Sequence, residues 1–213
     1  MDSFELVIFD CDGVLIDSER LAVRLESQLF TDMGWPMTES EATERFVGHP
    51  DTVIQTELER HLGRPVDWEN EFIPLYKDLF ERELVLVRGV ADMLERITLP
   101  TCIASNSLRA SLEANLYLTG LFERFEGRIF CAEEVGRGKP APDVFLHAAR
   151  TMGIDPSRCV VVEDSAAGVA AARAAGMAVC AFAGGVTPRS RLEGDGVVIF
   201  EDMGELAALV HQD

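Results

Sequence analysis

The sequence predicts an α/β fold, a doubly wound parallel sheet interrupted early by an all-helical insertion. Three observations carry this expectation. Short apolar segments rich in branched and aromatic residues recur along the chain and read as buried strands. From Gly89 onward they alternate with stretches long enough for helices, the pattern of a parallel sheet covered on both faces. The first such segment, Phe4-Glu5-Leu6-Val7-Ile8-Phe9, shares their character, yet about 70 residues of helical periodicity, 17–87, separate it from the next. The expected division is a core of residues 1–16 and 88–213 and a helical cap of residues 17–87.

Within the insertion, Leu21, Leu25, Leu29 and Met33 recur every four residues, one face of a helix that Gly34-Trp35-Pro36 ends. Thr38 and Glu41 have capping-box spacing and open a short helix. After the turn Val47-Gly48-His49-Pro50, Asp51 is placed to cap a helix with Val53, Ile54, Leu58 and Leu62 inward, stopped by Gly63 and Pro65. Phe72, Leu75, Tyr76, Leu79 and Phe80 mark another, in which Pro74 implies a kink or a late start. Trp35 and Trp68 are expected in the cap core. Arg20, Arg24 and Arg45 are expected either to line the cap interior or to pair on its surface. His61, His147 and His211 suggest no site. Beyond Gly89 the expected strands are Thr101-Cys102-Ile103-Ala104, Arg128-Ile129-Phe130-Cys131, Cys159-Val160-Val161-Val162, Ala178-Val179-Cys180-Ala181-Phe182 and Val197-Val198-Ile199-Phe200.

Composition narrows the function. Hydrophobic residues are 47% and charged residues 26% of the 213, a globular balance. The net charge of −18 argues against nucleic acid, whose phosphates demand a basic surface. Any phosphate site must then supply its own local positive charge. No apolar run is long enough to span a membrane, and Met1-Asp2-Ser3 lacks the start of a signal peptide. Cys11, Cys102, Cys131, Cys159 and Cys180 show neither Cys-x-x-Cys nor zinc spacing. They are expected as small buried hydrophobes in a reducing, cytoplasmic compartment.

Four stretches carry chemistry. Asp10 and Asp12 follow the first strand, at the carboxyl edge where open α/β sheets bind ligands. Two anions so close repel and cost desolvation energy if buried unpaired, which a divalent metal relieves; the plainer alternative is an acidic turn. Ala104-Ser105-Asn106-Ser107 closes the second strand ahead of a helix with Leu108, Leu112 and Leu116 in step, an anion site or plain capping by Ser107. In Gly138-Lys139-Pro140-Ala141-Pro142-Asp143, two prolines stiffen the backbone after Lys139. Its ammonium offsets clustered carboxylates, holds a phosphoryl oxygen, or is an ordinary surface charge in a turn. Asp143 is placed to open the next helix. Val162-Glu163-Asp164-Ser165 closes the fourth core strand ahead of an alanine-rich helix; the alternative is an acidic N-cap.

Together these stretches resemble the four motifs of the haloacid dehalogenase superfamily of phosphohydrolases, over the whole chain. Asp10-Cys11-Asp12-Gly13-Val14-Leu15 is similar to the first motif, Ser105 to the second, Lys139 to the third and Glu163-Asp164 to the fourth. The early helical insertion resembles the subgroup of β-phosphoglucomutase and small sugar-phosphate phosphatases. The resemblance implies a Rossmann-like core and Mg²⁺ as cofactor. It implies Asp10 as the nucleophile that forms an aspartyl phosphate and Asp12 as general acid, then base. The metal would be held by Asp10, the Asp12 backbone carbonyl and Asp164, with Glu163 in direct or water-linked support. Ser105, Asn106 and Lys139 would hold phosphate oxygens, and His49, in the turn where this subgroup carries a specificity loop, would bind a substrate hydroxyl or phosphate, the alternative being a solvated turn residue.

The chain departs from the mutase pattern. Ala22 stands where mutase-like chains carry a histidine, and His49-Pro50 follows Gly48 in place of a basic residue. Hydrolysis of a small sugar phosphate or sugar-acid phosphate, of the 6-phosphogluconate kind, is therefore favoured over phosphotransfer. A β-phosphoglucomutase-like phosphotransferase and a non-catalytic phosphate-binding protein are the alternatives. Asp12 and Glu163-Asp164 argue against a dehalogenase, the position of Lys77 against a phosphonatase, and chain length against a receiver domain. The expected partner is a small phosphorylated metabolite, and the expected state is a monomer or small homo-oligomer.

Overall fold

The structure, a computed structural model, describes residues 3–49 and 51–211. Met1-Asp2, and Pro50 of the His49 turn, lie outside the described residues. The chain begins with strand β1 (Leu6–Phe9) and continues through helices α1 (Ser18–Asp32), α2 (Glu39–Phe46), α3 (Asp51–Leu62), α4 (Trp68–Glu71) and α5 (Ile73–Glu83). There follow α6 (Val90–Arg96), β2 (Thr101–Ser105), α7 (Arg109–Leu118), α8 (Phe122–Phe125), β3 (Ile129–Cys131), α9 (Asp143–Met152), β4 (Cys159–Glu163), α10 (Ala166–Ala174), β5 (Ala178–Phe182), β6 (Val197–Phe200) and α11 (Met203–Val210). Two compact units result, Met1–Asp17 with Val85–Asp213, and Ser18–Leu84.

The first unit is a Rossmann-like α/β layer structure. Its six strands are parallel in the order β3-β2-β1-β4-β5-β6. Connections run one way from β1 and the other way from β4, so the crevice beyond the carboxyl ends of β1 and β4 is the topological switch point where such sheets bind ligands. Register levels these ends: Phe9 pairs with Ile103 on β2 and with Val162 on β4. β1, β2, β3 and β4 are wholly buried, as expected for strands covered on both faces. Leu6, Ile8, Cys102, Ala104, Cys159 and Val161 pack under α9 and α10. Phe9, one step out of phase with Ile8, meets Phe125 of α8 at 6.5 Å on the other face. All five cysteines are buried and free.

Where the chain leaves and re-enters this unit, Asp17 N–H donates to the Val85 carbonyl at 2.9 Å and Val87 N–H to the Leu15 carbonyl at 3.0 Å.

The helical unit is built on an aromatic cluster. Phe30 lies 5.6 Å from Trp35, 5.7 Å from Phe46 and 6.2 Å from Phe72, ring centre to ring centre. This cluster sets the rotation of α1. Leu21 is buried as expected, but Leu25, Leu29 and Met33 are only half-buried, and Val23, Glu26 and Phe30 complete the inward face. Burying the larger ring outweighs the leucine row. Val53, expected inward, is exposed, while Ile54 and Leu58 are buried. The Thr38–Glu41 capping box forms in both directions. Pro74 sits at the first turn of α5, so the helix starts late rather than kinking. Trp35 and Trp68 are buried, Trp35 stacked on His61 and Trp68 on Phe72. Arg24 pairs with Glu83 at the surface, and Arg45 lies over the Trp35 ring. Among the described residues no helix is long and apolar enough to cross a membrane.

Candidate active site

The switch-point crevice gathers acids from both halves of the sheet. Asp10 follows β1, Glu163 ends β4 and Asp164 comes next. All three are buried, and one carboxylate oxygen from each lies within 4.8 Å of the others. The bond from Asp10 N–H to the Val162 carbonyl, 2.9 Å, ties the two strand ends together.

Lys139 enters this acidic group from the loop before α9. Its Nζ donates to Asp10 Oδ1 and, at 2.6 Å, to Glu163 Oε1. The ammonium also lies 4.8 Å from the centre of the Phe145 ring, a favourable cation–π placement. Asn106 holds the lysine's backbone at both ends. Its Oδ1 accepts from Lys139 N–H at 2.8 Å, and its Nδ2 donates to the Lys139 carbonyl at 3.2 Å. Gly138 permits this approach, since a Cβ there would stand 2.6 Å from Asn106 Oδ1. Asn106 is thus turned to the lysine loop by its side chain.

Glu163 is held as firmly. Ser165 N–H and Oγ both donate to Glu163 Oε2, at 2.8 and 2.9 Å. The same Ser165 hydroxyl accepts from Gly168 N–H at 3.0 Å and caps α10. The acidic-cap alternative is therefore corrected: the serine caps the helix, and Glu163 is turned inward. Gly168 leaves its space, because a Cβ there would lie 1.8 Å from Glu163 Oε1.

Burial raises the Asp10 pKa to about 7. Lys139 opposes the rise, and Glu163 and Asp12 add to it. Burial alone would lower the Lys139 pKa, but the carboxylates of Asp10 and Glu163 outweigh it and hold the ammonium charged. Burial likewise pushes the Cys11 thiol well up, which keeps it neutral and a poor nucleophile.

The remaining expected residues divide. Ser105, at the end of β2, is buried, and its Oγ accepts from Ser107 N–H at 3.0 Å. The Asp12 carboxylate is half-buried and is not one of the three clustered acids; its Oδ2 accepts from Ser107 Oγ at 2.7 Å. Ser107 is thus not the cap of α7. That place is Leu108, which makes no side-chain bond and is itself exposed. His49 belongs to the Ser18–Leu84 unit and is exposed on the turn after α2. Ser165 and Gly168 were not singled out by the sequence, although the small residues after Glu163-Asp164 were a usable signal.

A buried three-carboxylate cluster only partly offset by one ammonium is a fit for a hard divalent cation, which takes oxygen ligands. The model of the haloacid dehalogenase-like hydrolases matches residues 4–176, a span that runs from β1 through α10. The chain belongs to the haloacid dehalogenase-like hydrolases. Among its relatives in this family is the 6-phosphogluconate phosphatase of Escherichia coli, 30% identical over 195 residues, covering 85% of this chain and 84% of that protein. A conserved haloacid dehalogenase-like protein of unknown function from Agrobacterium tumefaciens superposes with a TM-score of 0.86 at 39% identity over 98% of both chains. A haloacid dehalogenase-family hydrolase from Deinococcus radiodurans, solved with bound phosphate and sodium, superposes with a TM-score of 0.79 at 31% identity, over 97% of this chain and 95% of that one. The chain is accordingly an enzyme, a phosphoric monoester hydrolase of the haloacid dehalogenase type.

Proposed function

We propose that this hydrolase is an Mg²⁺-dependent phosphatase that cleaves a small sugar phosphate or sugar-acid phosphate through an aspartyl-phosphate at Asp10. The observation that carries the reading is the Lys139 bridge. One buried ammonium touches both Asp10 and Glu163 beside Asp164. In a chain of net charge −18 this is the local cation that a phosphate site needs. The substrate class rests on the 6-phosphogluconate phosphatase relative.

In this reading the Asp10 carboxylate attacks phosphorus while the bond to the leaving oxygen breaks, and Asp12 gives its proton to that oxygen. Asp12 then takes a proton from water, whose oxygen attacks the phosphorus of the acyl phosphate and returns Asp10 as carboxylate. Splitting the hydrolysis in two replaces one difficult step with two easier ones. Lys139 orients Asp10 and offsets the charge of the incoming phosphoryl oxygens, with Ser105 and the Asn106 backbone as further donors. Positioning and charge neutralisation are most of what phosphoryl transfer asks of a protein. Asp10, Asp164 and the Asp12 carbonyl would hold Mg²⁺, which when bound neutralises charge on the transferring group. Glu163, with both oxygens engaged by Lys139 and Ser165, serves as support rather than as the principal ligand.

The test is release of inorganic phosphate from a panel of phosphorylated metabolites, with Mg²⁺ and with EDTA. Release from sugar phosphates that EDTA abolishes and Mg²⁺ restores is expected, and Asp10→Asn is expected to lose turnover with its circular dichroism unchanged. No release from any sugar phosphate would remove the substrate class. Near-normal activity of Asp10→Asn would remove the covalent intermediate.

A further inference from the structure

The Asp12 carboxylate is held by a residue that no sequence pattern assigns to it. Ser107 Oγ donates to Asp12 Oδ2 at 2.7 Å, joining positions 95 residues apart in the chain. We propose that Ser107 is a positioning residue for Asp12, setting the angle at which its carboxyl meets the leaving oxygen and then the water. The proposal rests on the phosphatase reading above.

Three observations support it. The terminal torsion of an aspartate is broad and nearly two-fold, so the carboxyl plane must be set from outside. Asp10 and Glu163 have Lys139 for this; Asp12 is half-buried and stands outside that cluster. Second, Ser107 has a firm base. Its N–H donates to Ser105 Oγ at 3.0 Å, and Ser105 is 2% exposed at the end of β2. Asp12 is thereby coupled to the buried end of β2, the strand that pairs with β1. Third, the hydroxyl is spared from helix capping, the usual use of a serine at such a place. α7 begins two residues later, and the Arg109 N–H is taken by Glu133 Oε1 at 3.3 Å. A hydroxyl both donates and accepts, so the contact survives either protonation state of Asp12.

The consequence is selective. A sugar alkoxide is a poor leaving group and needs the proton from Asp12; p-nitrophenolate leaves nearly unaided. The experiment compares kcat/KM for p-nitrophenyl phosphate with that for the sugar phosphate turned over fastest in the metabolite panel. Ser107→Ala is expected to lower kcat/KM on the sugar phosphate on the order of tenfold, the size of one hydrogen bond to a charged group. On p-nitrophenyl phosphate the loss is expected to stay below about threefold. Ser107→Thr, which keeps the hydroxyl, is expected to restore the sugar-phosphate rate. In an Asp12→Asn background, Ser107→Ala is expected to cost nothing further, because the two act as one unit. Equal losses on both substrates, or a Ser107→Ala loss that persists in Asp12→Asn, overturns the proposal. Should the wild-type protein release phosphate from neither ester, the phosphatase reading itself falls, and that outcome is read from the wild type alone.

Discussion

Glu26 is the only acid buried in the described part of the helical unit, and its behaviour sets a measurable pH dependence. It is 4% exposed on α1, and its Oε1 accepts from Tyr76 Oη at 2.7 Å. Burial pushes its pKa from 4.5 up to about 7. The Tyr76 hydrogen bond opposes the rise, and Asp51 adds to it. Between those two values the folded protein binds a proton that the unfolded chain has released, so stability falls as pH rises through the window. Above about pH 7 the buried carboxylate costs roughly 3 kcal/mol, and about 2 kcal/mol of that develops between pH 5 and pH 8. Glu41 and Glu59, in the same unit, have lowered pKa values from backbone hydrogen bonds. Their stabilisation is lost only as pH falls below 4.5, which separates the two effects. Glu26→Gln preserves shape and an acceptor for Tyr76 while removing the titration. The variant should lose that share of the slope, leaving a shallower pH dependence from pH 5 to pH 8 set by groups such as Asp10, and it should be more stable than wild type at pH 8. Urea unfolding followed by tryptophan fluorescence is the assay, because both tryptophans of the chain, Trp35 and Trp68, lie in the Ser18–Leu84 unit. Midpoints carry the comparison, since the His61 ring stacked on Trp35 affects intensity. Equal pH slopes for wild type and Glu26→Gln would refute the reasoning.

Two further outcomes follow from the acidic cluster. Lys139→Met leaves Asp10 and Glu163 buried without their ammonium and should cost about 3–5 kcal/mol in denaturant melts run in EDTA, with added Mg²⁺ recovering part of it; no loss in EDTA would mean that the bridge is not structural. Gly168→Ala drives a methyl into the Glu163 carboxylate, 1.8 Å from Oε1. It should destabilise by about 1–3 kcal/mol and depress turnover together, whereas an unchanged melting temperature would show that Glu163 can move aside.

Most of the sheet is legible from the sequence because its signals are local. The apolar strands are punctuated by turns, and all six fall within a residue or two of where the pattern puts them. β2 extends through Ser105 and β3 begins at Ile129. The capping box at Thr38 and the late start at Pro74 are also short-range chemistry. Errors come where two local rules compete. Ser107 carries a good capping signal, yet its hydroxyl goes to Asp12. The leucine row of α1 carries a good amphipathic signal, yet Phe30 is drawn into an aromatic cluster assembled from four different segments.

Spacing alone puts Asp10, Ser105, Lys139 and Glu163-Asp164 at strand ends or in loops, and the order of apolar segments makes those strands parallel. Parallel strands share one carboxyl edge, so a common edge for these residues is already written in the chain. What the sequence cannot express is which atoms touch. Lys139 bridging Asp10 and Glu163, Ser165 turning Glu163 inward and Ser107 reaching Asp12 all depend on β1 lying between β2 and β4 with their ends level. That neighbourhood joins residues tens of positions apart, and only packing of the whole sheet creates it.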